Sequence, residues 1–187
     1  MTRVPYRDTE DGLNEEQLSV FEHIKESRGK VVGVFSVLLE SPTVAGLAAD
    51  IGAYMRFESI LTPVVRELTI TTALGEHSCQ FEWSAHEGFA RDAGVSDAAI
   101  DVIKNKKSLD GLSDIESEIV QYGREMIRDK RISDVTYQAI AARYSTQEVT
   151  ELTALFGYYS MVSCILNTFE VPPPPGKPAL PEPSKQA

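Results

Sequence analysis

The residues of this chain best suited to chemistry lie between Glu67 and His86, in the runs Arg66-Glu67-Leu68 and Cys79-Gln80-Phe81-Glu82-Trp83-Ser84-Ala85-His86. A glutamate stands twelve residues before a cysteine, and from that cysteine the chain reads C-x-x-E-W-x-x-H. On a helix, Cys79, Glu82 and His86 share one face, being offset by three and then four residues. Glu67 can join them from the preceding helix. A thiol is a nucleophile only as thiolate, and a nearby imidazole is one way to lower its pKa. His86 is the member whose ordinary pKa lies near neutrality. Two carboxylates brought together split their pKa values, leaving one protonated and one ionised. That pair can remove a proton beside a carbonyl, or protonate a carbanion after loss of CO2. Glu67, Glu82 and His86 are also ligand types found in a facial metal triad with open positions, although three ligands are few.

Each of these residues has a plainer reading. Trp83 suits a core side chain whose N–H finds a partner. Cys164, on an apolar stretch, suits a small core residue. His77 and His23 suit solvated positions. Glu82 with His86 could be an ordinary surface pair one helical turn apart. Against that, the same helix carries Phe81, Trp83, Ala85, Phe89 and Ala90, which leaves little room for a purely solvated face.

The elements that must position these groups read as helices. Asn14-Glu15-Glu16-Gln17 begins one with a capping box that follows Leu13, and Gly29 ends it near Ser27. Ser41-Pro42 opens the next, with proline where its missing N–H costs nothing, and Leu47, Ile51, Tyr54 and Met55 follow at three- and four-residue spacing. Thr62-Pro63 opens a third, along which Leu68, Thr72 and Gly75 share a side. The helix bearing the motif is predicted from about Ser78 to Ala93, with Gly94 as its left-handed end. Ser96, Ser113, Ser133 and Ser145 each suit an N-cap, and Ser113 to Glu116 and Ser145 to Glu148 are full capping boxes. The last helix, about 146–169, is long and largely apolar, as a core or interface helix would be. Val31 to Leu39 is the one stretch a strand could claim. It lacks a partner strand and suits a short buried helix or an extended segment better. After Glu170, four consecutive prolines impose polyproline II geometry and end the domain. The expected organisation is an N-terminal tail at 1–12, one all-α domain at 13–170, and a Pro-rich tail at 171–187, disordered or draped over a neighbouring subunit.

Composition narrows the partners. The chain has 187 residues, 42% apolar and 25% charged, enough for a well-buried core. Its net charge of −10, without a basic cluster, argues against nucleic acid or an anionic membrane as partner. Lys104-Asn105-Lys106-Lys107 reads as a solvated helix end. No uninterrupted apolar run reaches the eighteen or so residues a bilayer span requires, and the N-terminus lacks a signal peptide's apolar core. A cytoplasmic location is expected, in which Cys79 and Cys164 remain thiols.

Four phrases carry a family resemblance: Ser41-Pro42-x-Val44-Ala45-Gly46-Leu47, Arg66-Glu67-Leu68-x-Ile70, Phe81-Glu82-Trp83-x-x-His86-Glu87 and Asn167-x-Phe169-Glu170-Val171-Pro172. Together they resemble the carboxymuconolactone decarboxylase and AhpD-like alkylhydroperoxidase superfamily, in its larger single-domain branch. The resemblance implies an all-α AhpD-like helical bundle, assembled as a homo-oligomer (dimer, trimer or hexamer) and acting on a small-molecule substrate, with no cofactor and no metal. AhpD-like hydroperoxidases use a glutamate, then C-x-x-C, then a histidine four residues after the second cysteine. Glu67, Cys79 and His86 match the glutamate, first cysteine and histidine, but Glu82 stands where the second cysteine would be. A disulfide cycle between those two positions is therefore closed. The decarboxylases of the superfamily carry a glutamate four residues before the histidine, which Glu82 and His86 match.

The resemblance thus implies Glu67, Cys79, Glu82 and His86 as catalytic residues, with Trp83, Arg66 and Phe81 against the substrate and Arg91 as a further cation near the motif. The leading expectation is acid–base chemistry by Glu82 and His86 on a small carbonyl or lactone compound. In it Glu67 orients and Cys79 assists. The alternatives are a one-cysteine hydroperoxidase in which Cys79 meets the peroxide, with Cys164 a conceivable resolving thiol, a metal-binding protein, and a non-catalytic oligomeric module.

Overall fold

In a computed structural model, residues 2–182 are described. Met1 and the end of the Pro-rich tail, 183–187, lie outside them. The described residues form nine α-helices and no strand. The chain divides into two compact units, Met1–Ser59 with Cys164–Pro172 and Ile60–Ser163 with Pro173–Ala187.

The first unit holds α1 (Glu15–Arg28), α2 (Val34–Leu38) and α3 (Pro42–Ala53), the last continued by a π-helical turn at Tyr54–Glu58. The Asn14 capping box forms in full, and Gly29 closes α1 with φ 76°. The disputed stretch is the short buried helix α2, whose five residues all face inward. The N-terminal segment, expected to be a tail, is bound: Arg3 donates to the Phe169 carbonyl and pairs with Glu170, and Arg7 N–H donates to the Ser36 carbonyl. His23 is exposed and meets Asp50 at 2.6 Å.

The apolar spacing of α3 deceives. Leu47 and Ile51 are 62% and 50% exposed, and Val44, Tyr54 and Phe57 also face outward. The buried face consists of Ala45, Ala48, Ala49 and Gly52, with Met55 beyond them. Small residues let α1 approach α3 closely, which leaves the large side chains on the outer side.

The second unit holds α4 (Pro63–Glu76), α5 (Gln80–Ala93), α6 (Asp97–Lys104), α7 (Asp114–Arg124) with a π-helical turn at Glu125–Asp129, α8 (Asp134–Arg143) and most of α9 (Thr146–Thr168). Thr62 caps α4, Ser96 caps α6 and Ser133 caps α8, each through its side-chain oxygen. The boxes at Ser113 and Ser145 form in both directions. α4 is the central helix: from Val65 to Gly75 every side chain except Arg66 is buried. Three of those residues are threonines, and each hydroxyl donates to the carbonyl four residues back at 2.7 Å. Their polar atoms are thus satisfied inside the helix, and the apolar remainder packs outward.

Two glycines set the spacing around α4. A Cβ on Gly75 would lie 2.6 Å from Ile103 Cγ2 of α6. One on Gly123 would lie 2.4 Å from Phe156 Cε1 of α9 and 2.8 Å from Thr72 Cγ2 of α4. Buried carboxylates tie the periphery to this centre. Glu76 accepts both arms of the Arg128 fork at 2.6 Å. Glu125 accepts from Ser133, Thr136 and Gln121, and although burial opposes its charge, those donors hold its pKa at about 2. The described part of the Pro-rich tail returns to its own unit: Leu180 is buried, and its N–H and carbonyl are both engaged by the Gln80 side chain at 2.9 Å.

By length and composition α9 is long enough and apolar enough to cross a membrane. Over its most apolar window, 56% of residues are nonetheless buried, the pattern of a core helix. A search for uninterrupted apolar runs passes over it because Thr, Ser, Gly and Glu residues punctuate the sequence.

The closeness at Gly123 has a measurable cost. Gly123→Ala should destabilise the protein by about 1–3 kcal/mol, because Phe156 must leave its rotamer or α9 must shift. The midpoint of chemical denaturation, compared with that of Gly157→Ala at a position with open space, checks it.

Candidate functional site

The site is built on an αα-hairpin. α4 ends at Glu76, His77 caps it, Ser78 adopts φ 53°, and Cys79 is the N-cap of α5. Cys79 N–H donates to the Leu74 carbonyl at 2.9 Å, which fixes the reversal. Measured from His77, Glu67 lies ten residues up one arm and His86 nine along the other. At about 1.5 Å of rise per residue, the two are level across the hairpin.

His86 Nδ1 stands 2.7 Å from Glu67 Oε2, so Nδ1–H donates to that carboxylate. The other ring nitrogen, Nε2, faces Glu82 Oε2 at 3.6 Å and the Tyr159 hydroxyl at 3.4 Å. The imidazole is the most enclosed member of the line: the side chains of Glu67, His86 and Glu82 are 9%, 2% and 19% exposed. Phe89 and Tyr159 meet the imidazole edge-on, with ring centroids 5.5 and 5.3 Å away. Burial alone would disfavour the imidazolium. Hydrogen bonds and charge from Glu67 and Glu82 outweigh it, and the pKa of His86 lies above its usual 6.5. Glu82 occupies the first turn of α5, where the helix N-terminus favours a carboxylate.

Cys79 departs from the single-face expectation, since it precedes the helix as its N-cap. Its thiol is fully buried, and that burial pushes its pKa up to about 11. The N–H groups of Glu82 and Phe81 and the Ser163 hydroxyl pull the other way without prevailing. Cys164, expected in the core, is exposed, and both cysteines are free thiols.

The residues expected against a substrate are placed differently. Trp83 is fully buried, and its Nε1–H donates to Glu87 at 2.8 Å. Glu87 also takes Lys104 and Arg91, and Arg91 pairs further with Asp97. Trp83 and Arg91 therefore meet at Glu87, which Lys104 ties to α6. Arg66 and Phe81 are half-buried, and each sits about 100° around its helix from Glu67 and Glu82 respectively. Nor do Glu67 and Glu82 converge as a metal triad would require, because they meet opposite nitrogens of one ring. Among the described residues, no group of three or more His, Cys, Asp or Glu side chains is arranged to hold an ion. Tyr159 and the contact of Phe89 were missed. The one sequence signal was a tyrosine pair on an apolar helix, where a buried hydroxyl must find a partner.

These features define an all-α protein with a buried carboxylate–imidazole–carboxylate line and a phenol beside the imidazole Nε2. Residues 42–115 match the carboxymuconolactone decarboxylase family model. The fold is shared with an alkylhydroperoxidase AhpD core, peroxidase-related protein from Ralstonia eutropha JMP134: TM-score 0.70 at 14% identity, covering 93% of each chain. It is shared equally with a peroxidase-related protein from Silicibacter sp. TM1040: TM-score 0.69 at 15% identity, covering 94% of this chain and 96% of that one. No curated protein matches the chain in sequence. Over residues 42–115 the chain is thus similar to the carboxymuconolactone decarboxylase family, and it shares its fold with AhpD-like proteins.

The raised pKa of His86 makes a prediction with a definite sign. The folded protein holds its imidazolium more tightly than the unfolded chain. The stabilisation this supplies is complete below pH 6.5 and is lost as pH rises through the folded pKa. Glu67→Gln removes a neighbour that raises the pKa. The stability difference between wild type and Glu67→Gln should therefore shrink as pH rises above 6.5 through the folded pKa, as a series of denaturant titrations at increasing pH would show.

Proposed function

We propose that this protein is an enzyme that moves protons at a carbon beside a carbonyl, in a small lactone- or oxo-acid-like metabolite, during isomerisation or decarboxylation. The observation that supports this reading is the line Glu67–His86–Glu82, with Nδ1 committed to Glu67 and Nε2 left facing Glu82. Glu67 and Glu82 shift His86 toward its protonated form, and it acts as the acid, delivering the proton from Nε2. Glu82, the most exposed member, acts as the base toward the substrate carbon. Glu67 holds the ring in orientation and stabilises the imidazolium.

The structural neighbours are called peroxidase-related, which keeps a hydroperoxidase in view. Two properties of Cys79 weigh against it here. The thiol is fully buried, and a pKa of about 11 leaves it protonated at neutral pH, whereas attack on a peroxide needs an accessible thiolate.

Solvent deuterium incorporation into a panel of small γ-lactones and 3-oxo acids, followed by 1H NMR, tests the reading. Wild type should exchange the α-protons of at least one compound. His86→Ala and Glu82→Gln should each lower the rate about 10²–10⁴-fold, and Cys79→Ser should leave it nearly unchanged. Fast sulfenate formation at Cys79 with an organic hydroperoxide, dependent on His86, would replace this reading with the peroxidase one.

We also propose that the protein self-associates through the outer face of α3. Val44, Leu47, Ile51, Tyr54 and Phe57 form an exposed apolar row there, of a kind that marks contact surfaces. Light scattering should give a multiple of the chain mass for wild type and a smaller particle for Leu47→Glu/Ile51→Glu. A wild-type monomer would end the idea.

A further inference from the structure

We infer that Tyr159 is a further catalytic residue of this site, the hydrogen-bond donor to the substrate oxygen that becomes negative as Glu82 takes the proton from the neighbouring carbon. The inference rests on the proton-transfer reading for its substrate class. Its structural basis is separate, namely what surrounds one nitrogen.

Nε2 of His86 has a carboxylate oxygen on one side at 3.6 Å and a phenol hydroxyl on the other at 3.4 Å. Both exceed the 2.7–3.0 Å or so at which such groups settle when they exist only to satisfy each other. Catalytic hydrogen bonds are often long in the empty enzyme and shorten around a bound reactant. The phenol is also rigidly aimed. Tyr159 is 3% exposed, its ring meets that of His86 edge-on at 82°, and the ring of Tyr158 meets it at 82° with centroids 5.3 Å apart. Such a side chain has given up its rotational freedom before any ligand arrives, so its O–H needs no reorganisation to meet developing charge.

Enolisation requires a base for the C–H bond and a donor for the oxygen. Glu82 and Tyr159 supply one of each around a common nitrogen. The C–H pair becomes the C=C bond as the proton passes to the Glu82 carboxylate, and the carbonyl π pair moves onto oxygen, which accepts a hydrogen bond from the Tyr159 O–H. His86 Nε2–H then delivers a proton to the carbon being reprotonated, and the proton held by Glu82 passes to the vacated Nε2, which restores the starting pair. Atoms and charge balance without an added oxidant or reductant.

The test is Tyr159→Phe, which keeps the ring and removes the hydroxyl. Two readouts are needed: deuterium exchange into the responsive compound, and binding of a series of 4-substituted phenols whose phenolate oxygen imitates the enolate. The expected result is about a 10²–10³-fold slower exchange with KM little changed. Phenol affinity should fall at least about tenfold, that is by 1.4 kcal/mol or more, and its dependence on phenol acidity should flatten. Slower exchange with unaltered phenol binding would overturn the inference, because Tyr159 would then act only by holding His86. Exchange and binding both at wild-type levels would overturn it too. If wild type exchanges nothing in the panel yet binds phenols through Tyr159, the donor assignment stands and the proton-transfer reading falls. Should Tyr159→Phe fail to fold, the wild-type protein decides. A bound phenol must show a strongly downfield shared proton in the 1H spectrum, and its absence counts against the donor.

Discussion

The structure depends on keeping an imidazole and a carboxylate together in its interior. Moving such groups out of water costs several kcal/mol each, and only close, well-oriented partners return that energy. The hairpin of α4 and α5 supplies the orientation. A three-residue link from His77 to Cys79 sets the arms level, and the internally bonded threonines let α4 be buried on nearly every side. Glu67 can then reach His86 without water between them. The remaining site geometry follows from that contact: with Nδ1 occupied by Glu67, Nε2 is the ring nitrogen that faces Glu82 and Tyr159.

Local signals were legible wherever the backbone itself must be satisfied. Asn14, Thr62, Ser96, Ser113, Ser133 and Ser145 announced helix starts because an orphan N–H needs an oxygen, and Gly29 and Gly94 announced ends because φ is positive there. Spacing also indicated which groups could share the motif, although it placed Cys79 inside the helix when it is the cap. Tertiary placement was harder to read. On α3 a regular apolar spacing existed, but the core wanted small residues and turned Leu47 and Ile51 outward. Trp83 and Arg91 seemed close to the motif along the chain, yet one residue of helix rotates a side chain by about 100°, and Glu87 claimed both. Tyr159 comes from a helix more than seventy residues away, and no local pattern encodes that meeting.

The superfamily resemblance gains chemical meaning at one position. Where AhpD-like hydroperoxidases carry a second cysteine, this chain has Glu82. Glu82 puts a carboxylate, a group able to hold or release a proton, where a redox-active thiol would stand on the same helical turn. The surroundings agree with the exchange: the cysteine that remains is buried and protonated, while the carboxylate is partly open to solvent and adjoins the imidazole. On the proposed reading, the identity of that single neighbour decides which chemistry the scaffold hosts.

Gly123 bears on the same question from the opposite side. It has no functional group and lies on a helix that contributes nothing to the reacting line. Its missing side chain nevertheless admits Phe156, and three residues further along α9 comes Tyr159. The register of α9 is therefore metered by an empty volume on α7, in the way a key's depth is set by its shoulder rather than its teeth. A survey that ranks positions by chemical reactivity would pass over Gly123, whereas one that ranks them by how far a change displaces the phenol from the imidazole would place it beside the reacting residues.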